Sequence, residues 1–280
     1  MILLTGGRGL LGFAIAASLS KHHLAYCATT TQVPAEHPFV SCNLLNPEAY
    51  PSGNEPWDAV IHCATHLQGG GTYAKNMRMT ENVIAFSKKH PVKKLIFISS
   101  SNASVPLQDE YSRSKKDSEK MIRESGLEYC IIRPTIMFSE RDKKNIFKMM
   151  QLLKTFHVAM IPGNGEYRLQ PVWVDDVADL TVQCLLKWDL AKNQVLAIGG
   201  GETLEFKEMI RRMGSALSAF YIPVYMPLPL LDLVARDAIR SFVTEKIMDN
   251  SAIESKFNVH PRTLSSWLEE FRLVDKKQAS

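Results

Sequence analysis

The sequence predicts an α/β protein, a doubly wound parallel sheet with a smaller, mostly helical C-terminal cap. Three observations predict it. Six short apolar runs recur in the first half of the chain, with helical patterns between most of them. A glycine-rich turn, TGGRGLLG, joins the first run to the first helical pattern. After Arg133-Pro134 this rhythm gives way to longer, mostly helical segments.

The apolar runs lie at 1–4, 24–28, 38–42, 58–63, 94–98 and 128–132. Ile2 to Leu4 reads as a short buried strand, and Leu10 to Leu19 as a helix of apolar and small residues. Between strand and helix, Gly6 and Gly7 suit a tight turn, Gly9 lets backbone approach a phosphate, and Gly12 allows close helix packing. The helix N-terminus offers unpaired N–H groups and a positive dipole end to a pyrophosphate. Further helices are expected over Asn76 to Lys89 and Ser112 to Glu124. Beyond the sixth run, residues 139–157 read as a charged helix and 162–168 (PGNGEYR) as a glycine-rich loop. A strand edge leading into a helix follows at 172–188, then a strand, VLAIGG, ending at Gly199. The last 80 residues read as mostly helical, broken by the proline-rich IPVYMPLPL at 222–230. Residues 1–135 are therefore expected to form the cofactor domain, completed by about 172–199, with 136–171 and 200–280 forming the cap over its cleft. Ligands of such sheets bind beyond the C-terminal strand ends, where the strand order reverses.

Bulk properties exclude several classes. A hydrophobic content of 45% and a charged content of 22% are ordinary for a globular chain. The net charge of +4 is slight, and the paired lysines are scattered, so no nucleic-acid partner is expected. Five cysteines (Cys27, Cys42, Cys63, Cys130, Cys184) lack CxxC spacing and mostly sit in apolar runs, which reads as buried thiols in a reducing compartment. A strand starting at Met1 leaves no room for a leader, and no uncharged run is long enough to span a membrane, so a cytoplasmic location is expected. His62 and His66 share no helical face, and no metal site is expected from them.

Three distant segments carry a resemblance. They are the glycine turn Thr5 to Gly12; Tyr111-Ser112-Arg113-Ser114-Lys115 on a helix preceded by IFISSS; and the ordered trio IIRPTIMFS, PVWVDDVADL and LAIGGGETLEFKEMI. Together they resemble the short-chain dehydrogenase/reductase superfamily, specifically its extended and atypical branches, which include nucleotide-sugar epimerases and dehydratases. The resemblance covers nearly the whole chain and fades after about residue 215. It implies a Rossmann-type cofactor domain and an NAD(P)-dependent oxidoreductase or epimerase/dehydratase. Its substrate would be a small, sugar-like molecule with a reacting carbonyl or hydroxyl.

The spacing of Tyr111 and Lys115 has a chemical reason. Residues four apart share a helix face, so both side chains can enter one cleft. An ammonium beside a phenol favours the phenolate, and the expectation is a lowered Tyr111 pKa that suits a proton shuttle. By resemblance, Lys115 also holds the ribose hydroxyls, and Ser100 binds the reacting oxygen, with Ser101 as the fallback and Ser99 beside the cofactor. A surface tyrosine at 111 is the plain alternative.

Other site residues follow from the same resemblance. Gly6, Gly7, Arg8, Gly9, Leu10, Leu11 and Gly12 cradle the pyrophosphate. Cys63, Ala64 and Thr65 of VIHCATH wall the nicotinamide side, and Pro134 to Ile136 back its amide. Asn43-Leu44 takes the place of an Asp-Leu that contacts adenine. Asn76 matches an asparagine that supports the site, or else caps its helix. Thr29 and Thr30 end the second strand with no carboxylate, and Arg8 is basic, which favours NADP and leaves NAD open. From the cap, Arg168 and Gln170 are candidates to meet the substrate, Arg168 alternatively pairing with Asp175 or Asp176. The stripe Leu231, Val234, Ala238 and Phe242 within 227–242 is expected to pack inside the cap, ahead of a partner or membrane-surface contact.

The resemblance is also imperfect. Ser100 lies only eleven positions before Tyr111, extended members place it much further ahead, and the Tyr-Gly and the glycine after RPxxxF are missing, Ser139 standing at the latter. The short loop is similar to atypical members, among them an accessory subunit of respiratory complex I that holds a dinucleotide. A binding module that senses redox state or stabilises an assembly is therefore the alternative to an enzyme.

Overall fold

The computed structural model describes residues 1–30, 39–51, 56–67, 69–106, 109–141 and 146–278. In chain order the first elements are β1 (Ile2–Thr5), α1 (Leu10–Lys21), β2 (Tyr26–Thr30), β3 (Phe39–Ser41), β4 (Ala59–His62) and α2 (Thr72–Lys89). They continue as β5 (Lys94–Ile98), α3 (Glu110–Arg123) and β6 (Tyr129–Pro134). Next come β7 (Met137–Phe138), α4 (Ile146–Phe156), β8 (Val158–Pro162), β9 (Arg168–Leu169), β10 (Val172–Trp173) and α5 (Val174–Leu186). The chain closes with α6 (Trp188–Ala191), β11 (Gln194–Ile198), β12 (Leu204–Glu205), α7 (Phe206–Ala216), β13 (Ile222–Met226), α8 (Leu228–Val243), α9 (Ser251–Phe257) and α10 (Leu264–Gln278).

Seven strands form one sheet in the order β11-β6-β5-β4-β1-β2-β3. Every neighbouring pair is parallel, for example Leu3 opposite Cys27 in β2 and Leu4 opposite Ile61 in β4. Parallel strands are covered on both faces, which is why they read as continuous apolar runs. Alternate residues sort by face. Leu4, Ile61, Ile96 and Ile132 pack in a cluster with α1 and α5 residues such as Ile15, Val177 and Leu180. Leu3, Val60, Leu95, Phe97 and Ile131 face the other way, toward Met79 and Val83 of α2 and Ile122 of α3. The order reverses between β1 and β4, so a crevice opens beyond Thr5 and His62.

A third cluster gathers Phe138, Ile146, Met150, Leu153, Trp173, Phe206, Met209 and Trp267 from β7, α4, β10, α7 and α10. Phe138 meets Trp173 and Trp267 edge-on, with ring centroids 5.2 Å and 5.5 Å away. Here the structure departs from the reading of 222–230 as a plain break. Ile222–Met226 is a strand, paired in parallel with Val158–Pro162. Pro223 is tolerated because β13 is an edge with no further strand to serve. Pro229 then enters the first turn of α8, where a missing N–H is harmless. Of the α8 stripe, Phe242 packs against the rings of Tyr167 and Phe206, while the side chains of Val234 and Ala238 lie outside the described part. No helix among the described residues is long and apolar enough to cross a membrane.

Candidate active site

The glycine turn sits at the reversal of strand order, and its glycines answer different demands. Gly6 has φ +75°, and a Cβ there would stand 2.7 Å from the Ala64 Cα. A Cβ at Gly12 would overlap the Gly6 carbonyl, which fixes how closely α1 approaches the turn. Gly9 differs: it N-caps α1 in extended conformation, and a Cβ there would meet only the Gly6 oxygen, at 3.3 Å. The turn is closed by Gly9 N–H donating to Gly6 O (2.9 Å), and by Gly6 N–H and Gly7 N–H donating to Thr29 (3.3 Å and 3.2 Å). Thr29 is thus a buried brace of the turn. Arg8 is exposed, and no acidic residue or side-chain cap occupies the first turn of α1. The side chain of Thr30, and Thr31 altogether, lie outside the described residues. Asn43 turns its amide oxygen to Leu45 N–H (3.1 Å), and the buried Leu44 gives its carbonyl to the Asn82 amide (2.9 Å).

A network that the sequence reading missed connects this turn to the next strand. Thr5 Oγ1 accepts the N–H groups of Cys63 and Ala64, both at 3.2 Å, so its proton goes to His62 Nδ1 at 2.8 Å. Burial and the nearby Lys115 lower the His62 pKa to about 3 and keep the ring neutral. Its Nε2 then faces Thr80 at 3.5 Å, and Thr80 pairs with Ser118 at 2.9 Å. Asn76 lies in the second turn of α2, whose N-cap is Gly71, so the helix-cap alternative is overturned. The helix begins four residues earlier than its apolar period reveals. The Asn76 amide bridges both backbone groups of His66 (2.7 Å and 3.0 Å), Thr65 Oγ1 (3.4 Å) and Ser114 Oγ (2.9 Å).

The sheet's alternation sorts the three serines after β5. Ser99 turns inward, and its hydroxyl donates to Glu119 Oε1 at 2.5 Å, away from the cleft. Ser100, on the opposite side, accepts Asn102 N–H at 3.2 Å, and its hydroxyl lies close enough to the Tyr111 phenol to lower that group's pKa. Ser101 is buried in the short 3-10 turn that Ser100 caps. Tyr111 occupies the first turn of α3, capped by Asp109 through Ser112 N–H at 2.8 Å. The buried Lys115 donates to Ile98 O at 2.7 Å, with its Nζ 4.8 Å from the Phe97 ring centroid and 5.9 Å from that of Tyr111.

The electrostatics correct one expectation. Burial pushes the Tyr111 phenol up to about 12, against the downward pull of the nearby Ser100 hydroxyl, with Asp109 and Cys63 adding to the rise. Lys115 does not offset this rise, because the ammonium is itself desolvated, down to about 8, and is committed to the Ile98 carbonyl. Burial likewise raises the Cys63 thiol to about 12. At neutral pH the site holds a phenol, a thiol and an ammonium.

On the cap side, Arg168 makes a two-pronged pair with Glu245 (3.1 Å and 2.9 Å), not with Asp175 or Asp176. Those carboxylates accept instead from Trp173 Nε1 and from Arg262 N–H. The buried Gln170 amide joins Gly200 O (2.9 Å) to the backbone of Met248 (2.7 Å and 3.2 Å), so it ties the end of β11 to the segment after α8. Both side chains tie segments of the C-terminal half together. The segment after α8 carries Lys246, which the sequence reading did not single out. Its ammonium donates to Thr244 O (3.2 Å) and Ser241 O, and burial lowers it to about 8 while the Asp109 carboxylate pulls it up.

Residues 2–199 match the model of the NAD dependent epimerase/dehydratase family. A UDP-glucose 4-epimerase of Vibrio cholerae is 29% identical over 114 residues, 39% of this chain and 34% of that protein, so the match spans about a third of that relative. The N-acetyl-alpha-D-glucosaminyl-diphospho-ditrans,octacis-undecaprenol 4-epimerase of Escherichia coli O157:H7 is 22% identical over 232 residues, 70% of each chain. Among solved structures, a UDP-glucose 4-epimerase of Thermotoga maritima with UDP-glucose superposes at a TM-score of 0.81 and 20% identity, covering 100% of this chain and 99% of that one.

Proposed function

The chain belongs to the NAD dependent epimerase/dehydratase family, and from that premise we propose that it is an NAD(P)-dependent oxidoreductase or epimerase/dehydratase of the short-chain dehydrogenase type. Its substrate is a small, sugar-like molecule whose carbonyl or hydroxyl reacts at Ser100, Tyr111 and Lys115. The observation that carries this reading is the buried Lys115, anchored to Ile98 O one helical turn beyond Tyr111, with the Ser100 hydroxyl close enough to the phenol to lower its pKa.

The glycine turn fits a dinucleotide. Apart from the Gly6 oxygen 3.3 Å from a would-be Cβ, no protein atom crowds Gly9, which stands at the N-terminus of a twelve-residue helix that no side chain caps. Gly6 to Gly12 would hold the pyrophosphate, Lys115 the ribose, and Cys63 to Thr65 with Pro134 to Ile136 the nicotinamide end. A bound nicotinamide supplies or accepts hydride. The protein's own part is proton control. With its phenol protonated at neutral pH, Tyr111 donates to a carbonyl oxygen as that oxygen gains charge, and Ser100 holds the same oxygen. Lys115, charged below about pH 8, stabilises the phenolate left behind. For the reverse direction the proton returns to Tyr111. Arg8 and the carboxylate-free end of β2 support NADP as the preferred cofactor.

Mixing the protein with NADH or NADPH and a panel of nucleotide sugars and simple carbonyl compounds tests the reading. Absorbance at the nicotinamide band reports reduction, and product chromatography reports epimerisation or dehydration. Turnover that depends on Tyr111 is the expected result. Tight cofactor binding with no turnover across the panel would favour the redox-sensing or assembly role instead.

A further inference from the structure

We infer that Glu119 is the positioning residue of this site: its carboxylate sets the spacing between the strand end that carries Ser100 and the helix that carries Tyr111 and Lys115. The inference rests on reading those three residues as the reacting set.

Glu119 lies four residues after Lys115 and eight after Tyr111, so the three share one face of α3. Its side chain is 1% exposed, and both oxygens are fully engaged. Oε1 accepts from Ser99 Oγ (2.5 Å) and Arg133 Nε (2.8 Å). Oε2 accepts from Arg133 Nη2 (2.6 Å) and Arg123 Nη2 (2.7 Å). Ser99 immediately precedes Ser100, and its N–H also donates to Ile132 O of β6 at 2.8 Å. Arg133 immediately precedes Pro134 at the end of β6. One carboxylate therefore joins α3 to the ends of β5 and β6, and no neighbouring contact to the reacting oxygen is needed for this role.

Charge makes the role testable beyond simple packing. The groups around Lys115 are Cys63 and the neutral His62 of β4, Tyr111 and Glu119 of α3, and the Ile98 carbonyl and Phe97 ring of β5. Among these ionisable groups, Glu119 is the anion, and it also compensates Arg123 and Arg133. Glu119→Gln keeps the shape but removes the anion that raises the Lys115 pKa and leaves the guanidinium groups of Arg123 and Arg133 without their carboxylate. Lys115 must then release its proton at lower pH.

The experiment compares Glu119→Gln and Ser99→Ala with the parent, using a substrate found as above. Glu119→Gln should lower kcat by about 10²-fold, the scale of a small misplacement of reacting groups, with a smaller change in KM. The alkaline limb of its kcat/KM pH profile should move to lower pH. Ser99→Ala keeps the charge, so it should lower kcat several-fold and leave that limb in place. A crystal structure of either variant should show the Ser100 and Tyr111 oxygens further apart than in the parent, a readout that needs no turnover and only one variant that folds. Parent-like kcat, an unmoved limb and an intact Ser100–Tyr111 contact in the folded variants would overturn the inference. Tyr111→Phe, run beside them, separates the two ideas: full turnover there sinks the Ser100–Tyr111–Lys115 reading, while the crystallographic contact still decides the spacing.

Discussion

A single methyl or isopropyl group placed on the glycine turn distinguishes a binding glycine from a folding one. At Gly9 the backbone has φ −67° and ψ 163°, extended values that any residue adopts, and the nearest protein atom to a Cβ is 3.3 Å away. Gly9→Val should therefore fold, at a cost of about 1–2 kcal/mol for the small yielding of the Gly6 carbonyl. The added side chain would occupy the space in front of the α1 N-terminus. Displacing a phosphate from two amides there forfeits roughly 1.5–3 kcal/mol for each charge-assisted bond. The expected loss of dinucleotide affinity is thus about 10²–10⁴-fold. Gly12→Ala is the counterpart. Its Cβ overlaps the Gly6 carbonyl, and relieving that overlap should cost about 1–3 kcal/mol of stability, seen as a lower melting temperature without any ligand. Titration calorimetry of each variant with NADPH and NADH, alongside calorimetric melting, measures both effects. A folded Gly9→Val that binds dinucleotide like the parent would refute the assignment of this turn.

Three further outcomes follow from the same geometry. Tyr111→Phe should leave cofactor affinity near normal and reduce turnover about 10²–10⁴-fold, whereas Lys115→Ala should damage both; parental turnover falls above about pH 8 as Lys115 loses its proton, and steady-state kinetics across pH shows whether it does. Arg8→Ala should reduce the NADP-to-NAD affinity ratio by about 10–100-fold, and an unchanged ratio in competitive titration removes the argument for NADP. Burial raises the Asp176 carboxyl to about 6, above its unfolded value, so the unfolded chain loses this proton first and stability falls as pH rises from about 4 to 6. Asp176→Asn keeps an acceptor for Arg262 N–H and should add about 1 kcal/mol at pH 7.5, allowing for solvent screening, but nothing at pH 4; equal melting shifts at both values contradict it.

The sheet was legible because parallel strands covered on both faces must be apolar along their length, and a doubly wound order leaves few arrangements for them. The 111–115 spacing and the glycine turn were legible for the same reason: each is a local pattern whose geometry the chain cannot avoid. What escaped was long-range or dependent on burial. Arg168 reaches Glu245 across 77 positions, and nothing near either residue announces it. β13 was missed because Ile222, Pro223, Val224 and Tyr225 are all exposed, so no alternation marks the strand. The phenol's raised pKa comes from the desolvation of Tyr111 and of its lysine together, which spacing alone does not reveal.

Glu119 and Asn76 lie between these cases. The spacing 111, 115, 119 was present in the sequence as a third turn of the same helix face, and an acid there has to be paired if it is buried. What the spacing could not supply was the pair of strand ends that hold it, Ser99 and Arg133. Asn76 likewise shows its purpose only through Ser114, which lies on α3 between Tyr111 and Lys115, and through the backbone of His66. The two polar braces reach α3 from different elements, one from the ends of β5 and β6 and one from α2. The helix bearing Tyr111 is thereby fixed against the sheet before any ligand arrives, and that is the preorganisation that a proton-transferring pair requires.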